Sequence, residues 1–137
     1  MHIILENPDT YQNNNQLLKL INLITKHSFG NVLIAGPTAS GRSTLSDFIC
    51  ERSQHKFVSL FNYNQIFDDF RDINHANIFK QYTNLIGTIH AANIDNTEER
   101  IKYLSNVTNL KELNLNMIIC LNSRHFKERT MEIQFIR

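Results

Sequence analysis

The chain has 137 residues, 42% of them hydrophobic and 20% charged, and a formal net charge of +1. That length suits one domain with a real hydrophobic core. The charge excludes a strongly basic nucleic-acid surface, and no apolar run approaches the length that spans a membrane. The opening Met1-His-Ile-Ile-Leu-Glu6 is too short and too acidic for a secretory signal, so the cytoplasm is the expected compartment.

In chain order, Leu17, Leu20, Ile21 and Ile24 fall on one face of a helix after a polar opening. Gly30 is its expected C-cap. Val32 to Ala35 is a continuous apolar run, the pattern of a parallel strand buried on both faces. Gly36-Pro-Thr-Ala-Ser-Gly41 follows, and then a helix over Thr44 to Glu51 with Leu45, Phe48 and Ile49 inward. Lys56 to Phe61 predicts a strand. Asn64 to Tyr82 is acidic and aromatic and predicts one or two short helices. Leu85 to His90 predicts a strand, and Asn96-Thr-Glu-Glu99 a capping box opening a helix to about Val107. Met117 to Leu121 is a strong strand. Thr130 to Ile136 alternates Met131, Ile133 and Phe135 with Glu132 and Gln134, as a half-exposed antiparallel strand does, and Ser123 to Glu128 is the hairpin connection. Strands alternating with helices predict an α/β sheet ending in a β-hairpin.

The residues from Gly36 to Thr44 carry the chemistry. Their spacing is G-x-x-x-x-G-K/R-S/T, the phosphate-binding loop pattern, with Arg42 where the pattern has lysine. Gly36 and Gly41 permit backbone torsions and approaches that a Cβ blocks, so successive N–H groups can form an anion nest. A side chain at Gly41 is expected to fill the space the phosphates need. The helix start adds unpaired N–H groups and a positive dipole end, and the Ser43 hydroxyl is placed for magnesium. Arg42 keeps the charge but is planar, longer and branched. Cys50 and Cys120 have no metal-ligand spacing and read as buried reduced thiols. Neither do His2, His27, His55, His75 and His125, so no metal site is assigned to them. The run Asn13-Asn14-Asn15, with many Ile and Lys, suits an AT-rich genome and weakens turn assignments based on asparagine.

Taken together, these segments resemble the secretion ATPase superfamily, which covers type II and type IV secretion, conjugation and type IV pilus motors. Gly36 to Thr44 resembles the family loop GPTGSGKST. Leu85-Ile-Gly-Thr-Ile-His90-Ala91 resembles its histidine box. Glu99-Arg100-Ile-Lys-Tyr-Leu104 resembles its ERL helix. Met117 to Asn122, Arg124 and Met131 to Ile136 resemble its closing hairpin. The resemblance implies a trimmed RecA-like P-loop NTPase domain, with a parallel sheet core and a C-terminal β-hairpin. The whole chain, 1–137, is then one domain, of which about 16–137 resembles the family's C-terminal ATPase domain.

It further implies ATP with magnesium, held by Gly36, Pro37, Thr38, Ala39, Ser40, Gly41, Arg42, Ser43 and Thr44, with Ser43 on the metal. His90 takes the role of sensing the terminal phosphate, against the plainer reading of a strand-end histidine bonded to backbone. Arg100 and Arg124 are phosphate or inter-subunit contacts, or surface ion pairs. Family members carry an N-terminal domain that completes the site, so this chain is expected to work beside others. It would do so as a ring, or docked on secretion or pilus machinery or on a full-length ATPase, peripheral to the inner membrane at most.

Two departures bear on catalysis. Asn62 and Asn64 stand where the family has an acidic box, and no Walker B strand is evident. Asp68 and Asp69 are the remaining acids, expected in a solvated turn. Phosphoryl transfer needs magnesium positioned and water oriented. The sequence therefore predicts a nucleotide-binding relative with weak or no hydrolysis and a structural or regulatory role. The alternative is an active hexameric ATPase using His90, Asp68, Asp69 or a partner's acid. A small nucleotide kinase is the weaker third reading, since no lid or second substrate motif shows.

Overall fold

A computed structural model describes residues 2–5, 8–26, 30–54, 56–59, 69–122 and 129–136. The elements are β1 (His2–Ile4), a 3-10 turn (Pro8–Asn13), α1 (Asn15–Lys26), β2 (Asn31–Gly36), α2 (Arg42–Arg52) and β3 (Val58–Ser59). They continue with α3 (Ile73–Gln81), β4 (Leu85–His90), α4 (Ile94–Ser105), a second 3-10 turn (Leu110–Leu113), β5 (Leu115–Leu121) and β6 (Thr130–Phe135).

The strands form one six-stranded sheet in the order β1-β6-β5-β2-β4-β3. β2 is central and pairs in parallel with β5 and β4, and β4 pairs in parallel with β3. β6 turns back antiparallel on β5, and β1 lies antiparallel on β6, so the sheet is mixed. Every residue of β2 is buried, which its unbroken apolar run requires when helices cover both faces. Alternate β2 residues feed different cores. Val32 and Ile34 pack with α1 and α2 through Leu17, Ile21, Leu45 and Ile49. Leu33 and Ala35 pack with α3 and α4 through Phe79 and Ile101. On β6, Met131 and Ile133 are buried while Glu132 is exposed, as the alternation predicts.

The differences from expectation have local causes. α4 starts a turn before the predicted capping box, because Asn93 caps it by accepting from Asn96 N–H. The capping box present is Asn109 with Glu112, at the second 3-10 turn. Gly30 is not a left-handed helix cap. It is glycine because a Cβ there would collide with the Asn114 carbonyl and the Asn116 side chain. β1 was not anticipated, since three residues on a sheet edge carry no readable period. The predicted strand end at Phe61 and the hairpin connection 123–128 lie outside the described residues.

At the end of β2 away from the β2–α2 loop, Asn31 ties three elements together. Its Nδ2 donates to the Phe79, Tyr82 and Leu113 carbonyls, and its Oδ1 accepts from Leu85 N–H. Asn31 is fully buried, so these bonds are exchanged for no water and hold the end of α3 against β2 and β4.

Candidate functional site

The segment Pro37–Gly41 leaves the C-terminal end of β2 and enters α2 at Arg42. A tight turn closes it, with Ser40 N–H bonded to the Pro37 carbonyl at 3.2 Å. Ala39 and Gly41 both adopt positive φ, 63° and 92°. Alanine at such a position costs about 1–2 kcal/mol, because its Cβ crowds the following carbonyl. Gly36 has no room for a side chain, since a Cβ would meet Ser40 Oγ and the Leu121 carbonyl. Gly41 is the N-cap residue of α2, and no side chain caps the helix there. The first N–H groups of α2 are therefore presented at the loop, with the helix dipole behind them.

Arg42 does not extend from the loop into solvent. Its Nη1 donates to Asp69 Oδ1 at 3.2 Å, and the two side chains are 14% and 24% exposed. Asp69 also accepts from Thr88 Oγ1 at 2.5 Å. Its backbone bridges Thr88 in parallel, at the level a continued β3 would reach, and Phe70 N–H donates to the Thr88 carbonyl. The expectation of a solvated acidic turn is therefore corrected for Asp69. Pairing with β4, distant in sequence, draws it to the sheet edge beside the loop. Asp68 lies outside the described residues.

His90 pairs in register with Gly36 at the ends of β4 and β2. It is exposed, and its Nε2 lies 2.9 Å from Thr38 Oγ1. The loop's side chain, rather than backbone, is thus its hydrogen-bond partner. Ser43 and Thr44 are exposed on the first turn of α2. Arg100 is exposed on α4. Arg124, His27, His55 and His125 lie outside the described residues. His75 is buried at the start of α3, where its Nδ1 accepts Arg71 N–H at 2.8 Å. Among the described residues, no three His, Cys, Asp or Glu side chains gather as a metal site. No described helix is long and apolar enough to cross a membrane.

Beneath the loop lies a residue the sequence reading passed over. Arg129 is fully buried, just before β6. Its Nη1 donates to the Ser40 carbonyl at 2.6 Å and its Nη2 to the Tyr11 hydroxyl at 2.6 Å. Its guanidinium carbon sits 5.7 Å from the Tyr11 ring centroid. Burial raises the Tyr11 phenol above its ordinary range, against the lowering pull of Arg129. A Cβ on Gly41 would collide with Arg129 Nη1. The expectation for Gly41 is corrected accordingly, because a side chain there meets the arginine first. Only pairing across the fold reveals Arg129, since in sequence it ends a polar stretch that reads as surface.

The architecture is α/β, with a mixed sheet and a strand–loop–helix at the end of its central strand. Neither a protein-family model nor a curated protein matches the sequence. Among solved structures, the fold is similar to that of the VirB11 ATPase of the Brucella suis type IV secretion system, determined in complex with sulphate. The TM-score is 0.60 at 11% identity, over 93% of this chain and 56% of that one. The likeness is therefore one of fold, and this chain spans little more than half of the VirB11 chain's length.

Proposed function

We propose that the chain binds the phosphates of a nucleotide, ATP with magnesium, at Gly36–Thr44. One observation carries this reading. α2 opens without a side-chain cap directly out of a positive-φ loop, at the end of the central strand. Ser40 adds support, because its Oγ is buried with no hydrogen-bond partner among the described residues, inside the turn that would face the anion. The fold likeness to a secretion ATPase agrees with a trimmed RecA-like P-loop domain.

The residues present fit a phosphate group. The helix N–H groups and the Ser40–Gly41 backbone bind and orient the anion, Ser43 is the hydroxyl offered to magnesium, and Thr38 with His90 borders the terminal phosphate. Bound nucleotide and magnesium would supply the phosphoanhydride and the charge that draws electrons from it. Arg42 is engaged by Asp69 rather than turned to the loop, which favours binding with weak or no turnover. Such a protein acts structurally or as a regulator. It would do so as a homo-oligomer or docked on secretion, pilus or conjugation machinery, in the cytoplasm or peripheral to the inner membrane, with no role for nucleic acid.

The alternative, an active hexameric ATPase, is favoured by one observation. Asp69 is a carboxylate at the loop, held by Thr88 as a working acid would be. Titration of a fluorescent ATP analogue with and without magnesium, followed by phosphate release, tests both readings. Saturable binding without release supports the first, robust magnesium-dependent release supports the second, and no binding overturns both.

A further inference from the structure

We infer that Arg129, braced by Tyr11, is a positioning residue for the phosphate loop: it sets the direction in which the Ser40–Gly41 peptide presents its N–H. The inference rests on the phosphate-binding reading above and goes beyond it, since Arg129 lies outside the loop motif.

The peptide plane between Ser40 and Gly41 couples the two groups. The Ser40–Gly41 bond is trans, as are all the described peptide bonds, so its C=O and N–H point in opposite directions. The carbonyl is bound on the buried side by Arg129 Nη1. The Gly41 N–H is thereby turned to the opposite, open side of the loop, beside the first N–H groups of α2. A flip of this peptide would turn an acceptor toward the anion and remove a donor from it. Gly41 can take its 92° φ without penalty, but glycine is equally free to leave it, so the backbone does not hold this orientation by itself. A charge-assisted hydrogen bond from a fully buried guanidinium does.

Arg129 is itself held in place. Nη2 is fixed on the Tyr11 hydroxyl, and the Tyr11 ring packs edge-on against Phe48 of α2, with centroids 5.5 Å apart. The guanidinium fork therefore spans from the first 3-10 turn to the loop, a fixed two-pronged geometry that a compact ammonium does not reproduce. Leu5 N–H bonds to the Arg129 carbonyl and brings β1 and its following residue into the same assembly.

The test measures ATP binding by calorimetry, alongside pyrophosphate as a base-free probe, for wild type, Tyr11→Phe, Arg129→Lys and Arg129→Met. The Gly41 amide resonance is followed by NMR. Losing one charged hydrogen bond predicts about tenfold weaker binding for Arg129→Met. Arg129→Lys is expected to recover part of that loss, and Tyr11→Phe to weaken binding about threefold and shift the Gly41 resonance. Ile21→Val, a core truncation remote from the loop, lowers stability but should leave affinity unchanged, which separates positioning from general destabilisation. If the arginine variants do not fold, Tyr11→Phe carries the test. Wild-type affinity and an unmoved Gly41 resonance in the folded variants overturn the inference alone. Absence of ATP and pyrophosphate binding by wild type overturns the phosphate-binding reading and this inference with it.

Discussion

Replacing Asp69 by asparagine separates the two readings of the site, because they predict opposite signs. Arg42 and Asp69 meet at 3.2 Å and both are largely screened from solvent. Two unit charges at that separation attract by about 5 kcal/mol at an effective dielectric of about 20. Much of this offsets desolvation, and asparagine keeps an acceptor oxygen for Arg42 and Thr88. What the substitution removes is the charge-assisted part of one hydrogen bond, about 1–1.4 kcal/mol. If Asp69 competes with phosphate for Arg42, that energy returns as affinity. Asp69→Asn should then bind ATP about five- to tenfold more tightly in EDTA, while urea unfolding shows a loss of about 1 kcal/mol. Tighter ligand on a weaker fold is the signature. Weaker binding confined to magnesium-containing buffer, with loss of any phosphate release, would refute the competition and make Asp69 the acid of an active enzyme. Arg42→Lys gives a second reading of the same contact. A compact ammonium makes a poorer partner for Asp69 and a better one for phosphate, so binding should improve several-fold while phosphate release stays at background.

Three further outcomes follow from other parts of the molecule. Asn31→Ala strands the Leu85 N–H and takes a donor from the Leu113 carbonyl, while Asn114 still donates to the Phe79 and Tyr82 carbonyls, and should cost about 2 kcal/mol in chemical denaturation. Ala39→Gly relieves the left-handed strain but loosens the unfolded chain, and should stabilise by up to about 1 kcal/mol in the same assay. Burial pushes the Cys50 and Cys120 thiols up from 9.0 to about 11, with Asp47 and Glu132 respectively adding to the shift. Both stay protonated in the folded chain while the unfolded chain ionises. Their stabilising effect is thus complete below pH 9 and is lost as pH rises from 9 to about 11, at about 3 kcal/mol each. Iodoacetamide should label neither thiol at pH 8 until denaturant is added.

The strands at the centre of the sheet were legible because burial on two faces leaves a signature that needs no partner. Val32 to Ala35 and Met117 to Leu121 are unbroken apolar runs, and Met131 to Phe135 alternates because only one of its faces is covered. The loop was legible because its glycines and hydroxyls sit at fixed spacing along the chain. What surrounds the loop was not. Arg129 follows Lys127 and Glu128 and looks like any solvated residue until its carbonyl partner on Ser40 is known. Asp69 stands beside Asp68 and owes its place to a bridge with Thr88, nineteen positions later. Tyr11 is polar at one end, and its burial depends on α2 and Arg129 rather than on its neighbours in sequence. Local spacing shows the loop, whereas long-range pairing determines what surrounds it.

The division of β2 between two cores bears on how events at the loop are felt elsewhere. Successive residues of one strand are anchored in opposite layers, so loss of either layer exposes half of the strand's apolar side chains. The amides of β2 then exchange with solvent only when the whole domain opens. A ligand held only by the closed state at the end of that strand would suppress global opening by RT ln(1 + [L]/Kd), in helices it never touches as much as in the loop itself. If nucleotide binds as proposed, hydrogen exchange deep in the sheet would gauge occupancy at the loop, through cohesion rather than through movement.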